Sequence, residues 1–365
     1  MGTAVAATLP AAAVPVAGCL LVQVAARESL DVLRLADRPG SGIVFTGAGA
    51  VEALHAARRQ GFARPLLADR RRYAGAARTR GTAPFASSWL AGQRAADVPA
   101  VLTDSGYIGD GDLEALRAVL RQAAGAGPDV TAVLPLHQHW LRKDRRTLIA
   151  EVIDHAVPIA VVLEHRGDPL AAPAAVKGVA DLLHAVPSVA LLGSGVGAVA
   201  ALASGARWAA VGVRPSLRQL PPVTSEEQAA PRKTRWRPAP AEIIAAPVLS
   251  FAPVTDVVRA YQATPANPAW ACGCPSCHGR TPQWLGSAPA FDANAHTFGV
   301  LLGEADRLRG YEPGPAMQRA WRERCDEALS RYSELGLAAL GWDPPRLASA
   351  WASSPVEHAG LRSAG

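Results

Sequence analysis

Cysteine, methionine and aromatic residues are scarce in this sequence of 365 residues. It contains 5 cysteines and 2 methionines, and aromatic residues make up 5% of the chain. So few cysteines, three of them clustered, are not typical of a disulfide framework, and we expect a reducing, cytoplasmic setting. No uninterrupted apolar stretch is long enough to span a bilayer, so we expect no membrane partner. The apolar N-terminus has prolines and no preceding basic residue, which argues against a signal peptide.

The overall composition is that of a globular protein. Hydrophobic residues make up 49% and charged residues 19%, and the length allows one large domain or a large and a small one. The formal net charge is +6. A basic surface favours a polyanion such as nucleic acid as a partner, although an arginine-rich, alanine-rich composition alone would also give this charge.

Residues 18–220 alternate short apolar runs with helical patterns. The runs are "CLLVQVA", "GIVFTGA", "RPLLADR", "PAVLTDSG", "TAVLPLH", "PIAVVLEH", "SVALLGSG" and "WAAVGVR". Continuous apolar strands that alternate with helices indicate a buried parallel sheet. Eight of them predict an α/β fold, a (β/α)8 TIM-like barrel, with a doubly wound open sheet as the alternative.

Polar residues follow several of these runs, at the strand ends where such barrels form their sites. They are Thr46, Asp69, Asp104 with Ser105, His137 with His139, Glu164 with His165, Ser194 and Arg214. We read His137 and His139 as alternating at one strand end, and we therefore expect them to face opposite sides and not to share a metal.

The chain divides into five segments by composition. They are a disordered N-terminus (1–17), the barrel (18–220), a basic, proline-rich loop (221–247), a zinc-binding module with C-terminal helices (248–345) and a flexible tail (346–365). The loop contains "PRKTRWRP", in which Arg232, Lys233, Arg235 and Arg237 surround a tryptophan. Such cations can neutralise phosphates while an indole stacks on a base, but a solvated basic loop would have the same composition.

Three cysteines lie within six positions, at Cys272, Cys274 and Cys277. This spacing suits a tetrahedral ion with sulfur ligands, for which zinc is the default. His296, in a predicted helix that begins with Asp292 as its N-cap, would complete a Cys3His site. Such a zinc ion would be structural. The alternatives are three unbound cysteines or a catalytic zinc with an open position.

The cysteine motif behind a barrel resembles the tRNA-guanine transglycosylase superfamily, including its DNA-modifying branch. "PAVLTDSGYIG" is similar to the family's strand ending in Leu-x-Asp-Ser-Gly-Gly, and "LLGSGVGAVAALASGARWAAV" to its glycine-rich segment, helix and next strand. The resemblance covers residues 90–310. It implies that a guanine-type base in tRNA or DNA is exchanged for a 7-deazaguanine. It also implies a structural Zn²⁺ and, because members of the family often dimerise, a homodimer.

The resemblance also implies roles for individual residues. Asp104 matches the acid/base aspartate, and Ser105 and Gly106 match its base-contacting neighbours. Gly193, Ser194 and Gly195 would lie against the base. His165 is a further candidate for substrate binding at a neighbouring strand end.

The family's second carboxylate, its nucleophile, is missing. Ala210 stands where the aspartate is expected, and no acidic residue occurs between Asp181 and Glu226. Glu164 and Asp69, both at predicted strand ends, are candidate replacements, unless Glu164 forms an ion pair with a nearby cation. Three hypotheses therefore stay open: a transglycosylase-like enzyme, an inactive relative that binds nucleic acid or a modified base as a complex subunit, and an unrelated barrel enzyme acting on a small molecule.

Overall fold

A computed structural model describes residues 15–223 and 241–354. Within them, residues 20–212 form eight parallel strands that make a nearly closed barrel. The strands are β1 (Leu20–Ala25), β2 (Ser41–Thr46), β3 (Leu66–Asp69), β4 (Val101–Leu102), β5 (Val130–His137), β6 (Ile159–Glu164), β7 (Val189–Ser194) and β8 (Ala209–Gly212). Each corresponds to one of the eight apolar runs, so the predicted (β/α)8 barrel is confirmed.

Six helices accompany these strands among the described residues. They are α1 (Ala50–Arg59), α2 (Ser87–Ala95), α3 (Leu113–Ala126), α4 (Arg145–His155), α5 (Pro173–Ala185) and α6 (Gly197–Ala203). Helix α3 shows why they form: its buried residues Leu116, Val119, Leu120 and Ala123 recur at helical spacing and face the sheet. Asp112 begins that helix, because its side chain accepts a hydrogen bond from the Ala115 amide.

The strand order is β3-β2-β1-β8-β7-β6-β5-β4, so the barrel closes where β3 and β4 meet. Strand β4 is short, and the chain beyond it continues the closure. Tyr107 pairs with Arg80 and Ile108 with Leu136 as parallel bridges. The loop after β3 thus crosses the seam and brings its side chains to the C-terminal ends of the strands.

Alternate side chains of the strands fill the barrel interior. Leu21, Val44, Leu67 and Val133 belong to one buried cluster there, which also contains Trp208 and Ala210. Their neighbours along each strand pack outward against the helices. The interior is therefore mainly a packed apolar core, and most of its polar side chains lie towards the C-terminal ends of the strands.

Among the described residues, the C-terminal part adds a hairpin and four α-helices to the barrel. Its elements are β9 (Glu242–Ala245), β10 (Ser250–Pro253), α7 (Val254–Ala263), α8 (Ala290–Arg309), α9 (Pro315–Glu334) and α10 (Arg346–Ala352). Strands β9 and β10 pair antiparallel. No helix of the described residues is long and apolar enough to cross a membrane.

Three expectations about this part need correction. The tail was expected to be flexible from residue 346, but α10 forms there and buries Leu347 and Trp351 against α5 and α9. Strand β9 lies inside the segment expected to be loop up to residue 247. Helix α8 begins at Ala290 with Pro289 before it, so Asp292 lies in the first turn and is not the N-cap.

Candidate functional site

The three clustered cysteines and His296 form a buried group that could hold a metal ion. Their ligand atoms all lie within 4.8 Å of one another. His296 Nδ1 is 3.7 Å from Cys272 Sγ, 3.6 Å from Cys274 Sγ and 3.2 Å from Cys277 Sγ. Sulfur and nitrogen ligands of a tetrahedral zinc are about 3.5 Å apart, so the spacing is consistent with zinc. The sequence prediction of all four residues is supported.

The local backbone explains why these four residues meet. The Gly279 amide donates to Cys272 O at 2.9 Å, which folds the cysteine loop back on itself. Gly299, one turn after His296 in α8, lets this loop approach the helix. A Cβ there would lie 3.2 Å from Cys274 Cβ. His278, adjacent to the last cysteine, is not part of the group.

The ring of His296 is oriented by a residue outside the cysteine loop. Its Nε2 donates to Ile244 O in β9 at 2.9 Å, which leaves Nδ1 to face the thiols. Burial lowers the pKa of His296, but the neighbouring thiols of Cys274 and Cys277 and the Ile244 carbonyl raise it to about 10 overall. A metal ion would displace the proton that this group otherwise shares.

Asp104 is fully buried and surrounded by donors from the loop after β3. Its Oδ2 lies 2.9 Å from Arg72 Nη1 and 3.2 Å from Arg70 Nη1. Its Oδ1 accepts from the Ala86 amide at 3.1 Å, just before α2. Arg70 also lies over the ring of Trp89 in that helix. The carboxylate therefore connects two loops and the start of α2.

The two residues after Asp104 have structural partners as well. Ser105 Oγ is 2.7 Å from Thr103 Oγ1, and both side chains are buried. Gly106 lies against the loop that crosses the barrel seam. A Cβ at Gly106 would be 2.1 Å from Arg80 O, so this crossing excludes any side chain.

Glu164 ends β6 and is buried among different partners. Its Oε1 accepts from Arg78 at 2.6 Å, and its Oε2 accepts from the Tyr107 hydroxyl at 2.6 Å. Arg78 also stacks on the Tyr107 ring, 3.6 Å from its centre. Burial, followed by the hydrogen bond to Glu164, raises the pKa of Tyr107 far above its usual value, so the phenol remains a donor. Asp104 and Glu164 thus contact separate sets of arginines.

The glycine-rich segment after β7 lies at the same end of the barrel. Gly193 has a φ of +58° and donates its amide to Gln23 Oε1 at 2.8 Å. The Ser194 hydroxyl is buried and has no hydrogen-bond partner among the described residues. A Cβ at Gly195 would lie 3.6 Å from the Phe251 ring. His165 directly follows β6, the neighbouring strand, and its Nδ1 accepts a hydrogen bond from the Gly167 amide at 3.0 Å.

A hydrogen-bonded group inside the barrel contains a residue that sequence reasoning missed. Gln23 Nε2 donates to Thr46 Oγ1 at 3.0 Å and lies 3.4 Å from Asp69 Oδ2. Tyr73 donates to the same Asp69 oxygen at 2.7 Å. The available signal was a single polar residue within the apolar run "LLVQVA", on the face that points inward.

His137 and His139 lie together, and the expectation that they face opposite sides was wrong. Their ring centres are 4.5 Å apart, and both rings face Asp110. Strand β5 ends at His137, and a 3-10 turn over Gln138–Leu141 follows. The expectation misapplied strand alternation, because residues two apart lie on the same face of a strand. The 3-10 turn also leaves the His139 ring beside that of His137.

The four basic residues proposed for nucleic-acid contact, Arg232, Lys233, Arg235 and Arg237, lie outside the described residues. The remaining site residues divide between two places. Asp104, Ser105, Gly106, Glu164, His165 and Gly193–Gly195 lie at the C-terminal ends of the strands, and the cysteines and His296 lie in the added C-terminal part.

A comparison with protein-family models and another with curated proteins each found no match to the chain. Function must therefore be argued from the barrel, the Cys3His group and the contacts of the carboxylates.

Proposed function

We propose that this protein is a nucleic-acid-binding relative of the tRNA-guanine transglycosylases that does not exchange bases by the family mechanism. The observation that carries the proposal is the set of contacts around Asp104. A general acid or base must reach the atom to which it transfers a proton. The side chain of Asp104 is 0% exposed, and two arginines and a backbone amide occupy its oxygens.

The strand expected to supply the nucleophile points to the same conclusion. β8 consists of Ala209–Gly212 and carries no carboxylate. Ala210 is completely buried within the apolar interior of the barrel, beside Trp208. An aspartate at this position would place a charge in an apolar environment, which costs several kcal/mol unless the charge is paired.

Nucleic acid is the proposed partner, and tRNA and DNA are both candidates. The net charge of +6 suits a polyanion, and "PRKTRWRP" combines four cations with a stacking side chain. The Cys3His group would hold a structural Zn²⁺ that fixes the cysteine loop against α8 and β9. The Ser194 hydroxyl beside Gly193 and Gly195 has no hydrogen-bond partner among the described residues, and a deazapurine base as a second ligand would supply one.

Binding can be tested by fluorescence anisotropy with labelled tRNA and labelled duplex DNA over a range of salt concentrations. We expect affinity to fall steeply with salt. The slope of the logarithm of the association constant against the logarithm of the salt concentration should be about −0.9 for each DNA phosphate contact. Replacing Arg232, Lys233, Arg235 and Arg237 with alanine should reduce both affinity and slope. A matched control removes the same charge at four exposed cations elsewhere: Arg59, Arg121, Arg146 and Arg259.

Two results would contradict the binding proposal. One is the absence of salt-dependent binding to either nucleic acid. The other is an equal loss of affinity in the two quadruple variants, which would mean that net charge alone is responsible.

A second candidate function is base exchange with Glu164 as the nucleophile. The observation that favours it is the place of Glu164 at the end of β6, beside Arg78 and Tyr107, where its side chain keeps 6% exposure while that of Asp104 has none. This carboxylate would attack the anomeric carbon as the glycosidic bond breaks and the guanine departs, and would hold the sugar covalently. The incoming base would then displace the carboxylate, as in retaining glycosyl transfer. A covalent protein–nucleic acid adduct that survives denaturing gel electrophoresis and is lost in Glu164→Gln would establish it.

A further inference from the structure

Three ligand-type side chains meet at the rim of the barrel, apart from the cysteine group. His139 Nδ1 is 2.7 Å from Asp110 Oδ2, and His137 Nδ1 is 3.7 Å from Asp110 Oδ1. One ligand atom from each of the three lies within 4.8 Å of the others. Two imidazoles and one carboxylate on one side of a site are a donor set that binds first-row divalent cations.

The backbone holds these three residues on a rigid corner. Gly109, next to Asp110, accepts a hydrogen bond at 2.7 Å from the indole of Trp140, which is buried beneath the 3-10 turn. Ile108 accepts from the His137 amide at 3.0 Å, which ties the same loop to β5. Asp110 therefore has little freedom to move away from the two histidines, and the donors are largely preorganised.

The side chains are also accessible to solvent. The exposed fraction is 23% for each histidine side chain and 52% for Asp110, so an ion could enter. The His139 amide donates a long hydrogen bond of 3.3 Å to His137 Nδ1. Nδ1 is the acceptor in this contact and therefore carries no proton there. Unprotonated imidazole nitrogen is the form that binds metals.

We propose that Asp110, His137 and His139 form a second metal site, which takes a first-row divalent cation such as Zn²⁺ or Co²⁺. The ion would replace the proton between His139 and Asp110. Three protein ligands leave positions open on the solvent side, where water or a phosphate oxygen of a bound ligand would complete the coordination. This proposal does not depend on nucleic-acid binding.

Charged neighbours shape the expected affinity. Glu164 Oε2 is 3.8 Å from His137 Nε2 and adds negative charge behind the site, although Arg78 is paired with this carboxylate. The hydrogen bond from His139 lowers the pKa of Asp110, and the charge of nearby Lys143 lowers it further. Because Lys143 opposes a second cation, Lys143→Gln should tighten metal binding by several-fold.

The test is to titrate protein that has no polyhistidine tag, and whose cysteine group is already loaded, with Zn²⁺ by isothermal calorimetry. We expect one further equivalent in the wild type, loss of that equivalent in His139→Ala, and at least about tenfold weaker binding in Asp110→Asn. His55→Ala, which removes a histidine from α1, should keep it. Circular dichroism melting curves verify that each variant is folded.

Cobalt distinguishes the two sites in the same protein. Co²⁺ bound by thiolates gives strong near-ultraviolet charge-transfer bands. These should weaken in Cys277→Ser, which removes one of the three thiolates, but keep their full intensity in His139→Ala. The proposal fails if the loaded wild type takes up no further metal, or if folded His139→Ala binds the second equivalent as the wild type does.

Discussion

Arg72 Nη1 lies 2.9 Å from the carboxylate of Asp104, which is itself completely buried. This ion pair joins the loop after β3 to the end of β4, on the two sides of the seam where the barrel closes. The residue that resembles a catalytic aspartate therefore contributes to barrel closure in this structure.

The first prediction concerns the stability contributed by this pair. Arg72→Ala should lower the free energy of unfolding by about 1–3 kcal/mol, because a buried charged acceptor loses a donor. Arg94→Ala, which breaks an exposed pair with Asp129, should cost less than about 1 kcal/mol. Urea denaturation of both variants measures the difference. Equal effects would mean that the Asp104 pair is no more important than a surface contact.

A second prediction tests whether Gly106 is needed for the fold at the barrel seam or only for contact with a base. If Gly106 is required for the close crossing of the 79–81 segment, Gly106→Ala should destabilise the protein by roughly 3 kcal/mol, or prevent folding. Gly125→Ala in α3 meets nothing within 4 Å and should be neutral or stabilising by up to about 1 kcal/mol. Thermal melting measures the effect. If Gly106→Ala were as stable as the wild type, the backbone at the seam would not be tightly packed.

Metal removal is the third prediction. A strong chelator should lower the melting temperature of the wild type, because a metal ion held by the folded Cys3His group stabilises it. Cys277→Ser should melt at a lower temperature and respond little to the chelator. Cys19→Ala, which changes a buried cysteine outside the group, should respond as the wild type does. A wild type indifferent to the chelator would contradict a structural metal.

The fourth prediction uses the carboxyl group inside the barrel. Burial raises the pKa of Asp69, against the opposing effect of the Tyr73 hydrogen bond and of Arg71. Between its unfolded pKa of about 3.9 and the raised folded value, the folded state binds more protons, so this group's contribution to stability falls as pH rises.

The stability of the wild type relative to Asp69→Asn should therefore decrease as pH rises above the unfolded pKa of about 3.9. Asp129 supplies a control of opposite sign, because its hydrogen bond to Arg94 lowers its pKa. The stability of the wild type relative to Asp129→Asn should increase as pH rises towards about 3.9 and stay constant above it. Denaturant titrations below and above this pKa measure both pairs. A rise for the Asp69 pair above it, or a fall for the Asp129 pair below it, would refute the assignment.

The sequence predicted the elements that consist of unbroken apolar runs. All eight strands are buried on both faces, so apolar residues such as Val22 and Val44 occur without alternation and mark each strand. The four metal-group residues were predictable for a different reason: three cysteines at close spacing have few other uses in a chain with five.

Elements defined by distant contacts were not predictable. Helix α2 buries Trp89, Leu90 and Gln93, a set with too few apolar residues to show helical periodicity. Helix α10 is short and follows two prolines, and it is stabilised by packing on α5 and α9. The arginines around Asp104 lie 32 and 34 residues before it, and no local pattern connects them to this carboxylate.

The most direct test of the account is an assay for base exchange at nucleic-acid concentrations that saturate the protein by anisotropy. Labelled guanine and a labelled 7-deazaguanine would each be offered with tRNA and with duplex DNA. We predict binding without incorporation of either base into either nucleic acid. Incorporation by the wild type that is lost in Glu164→Gln would contradict the account and establish a transglycosylase with a relocated nucleophile.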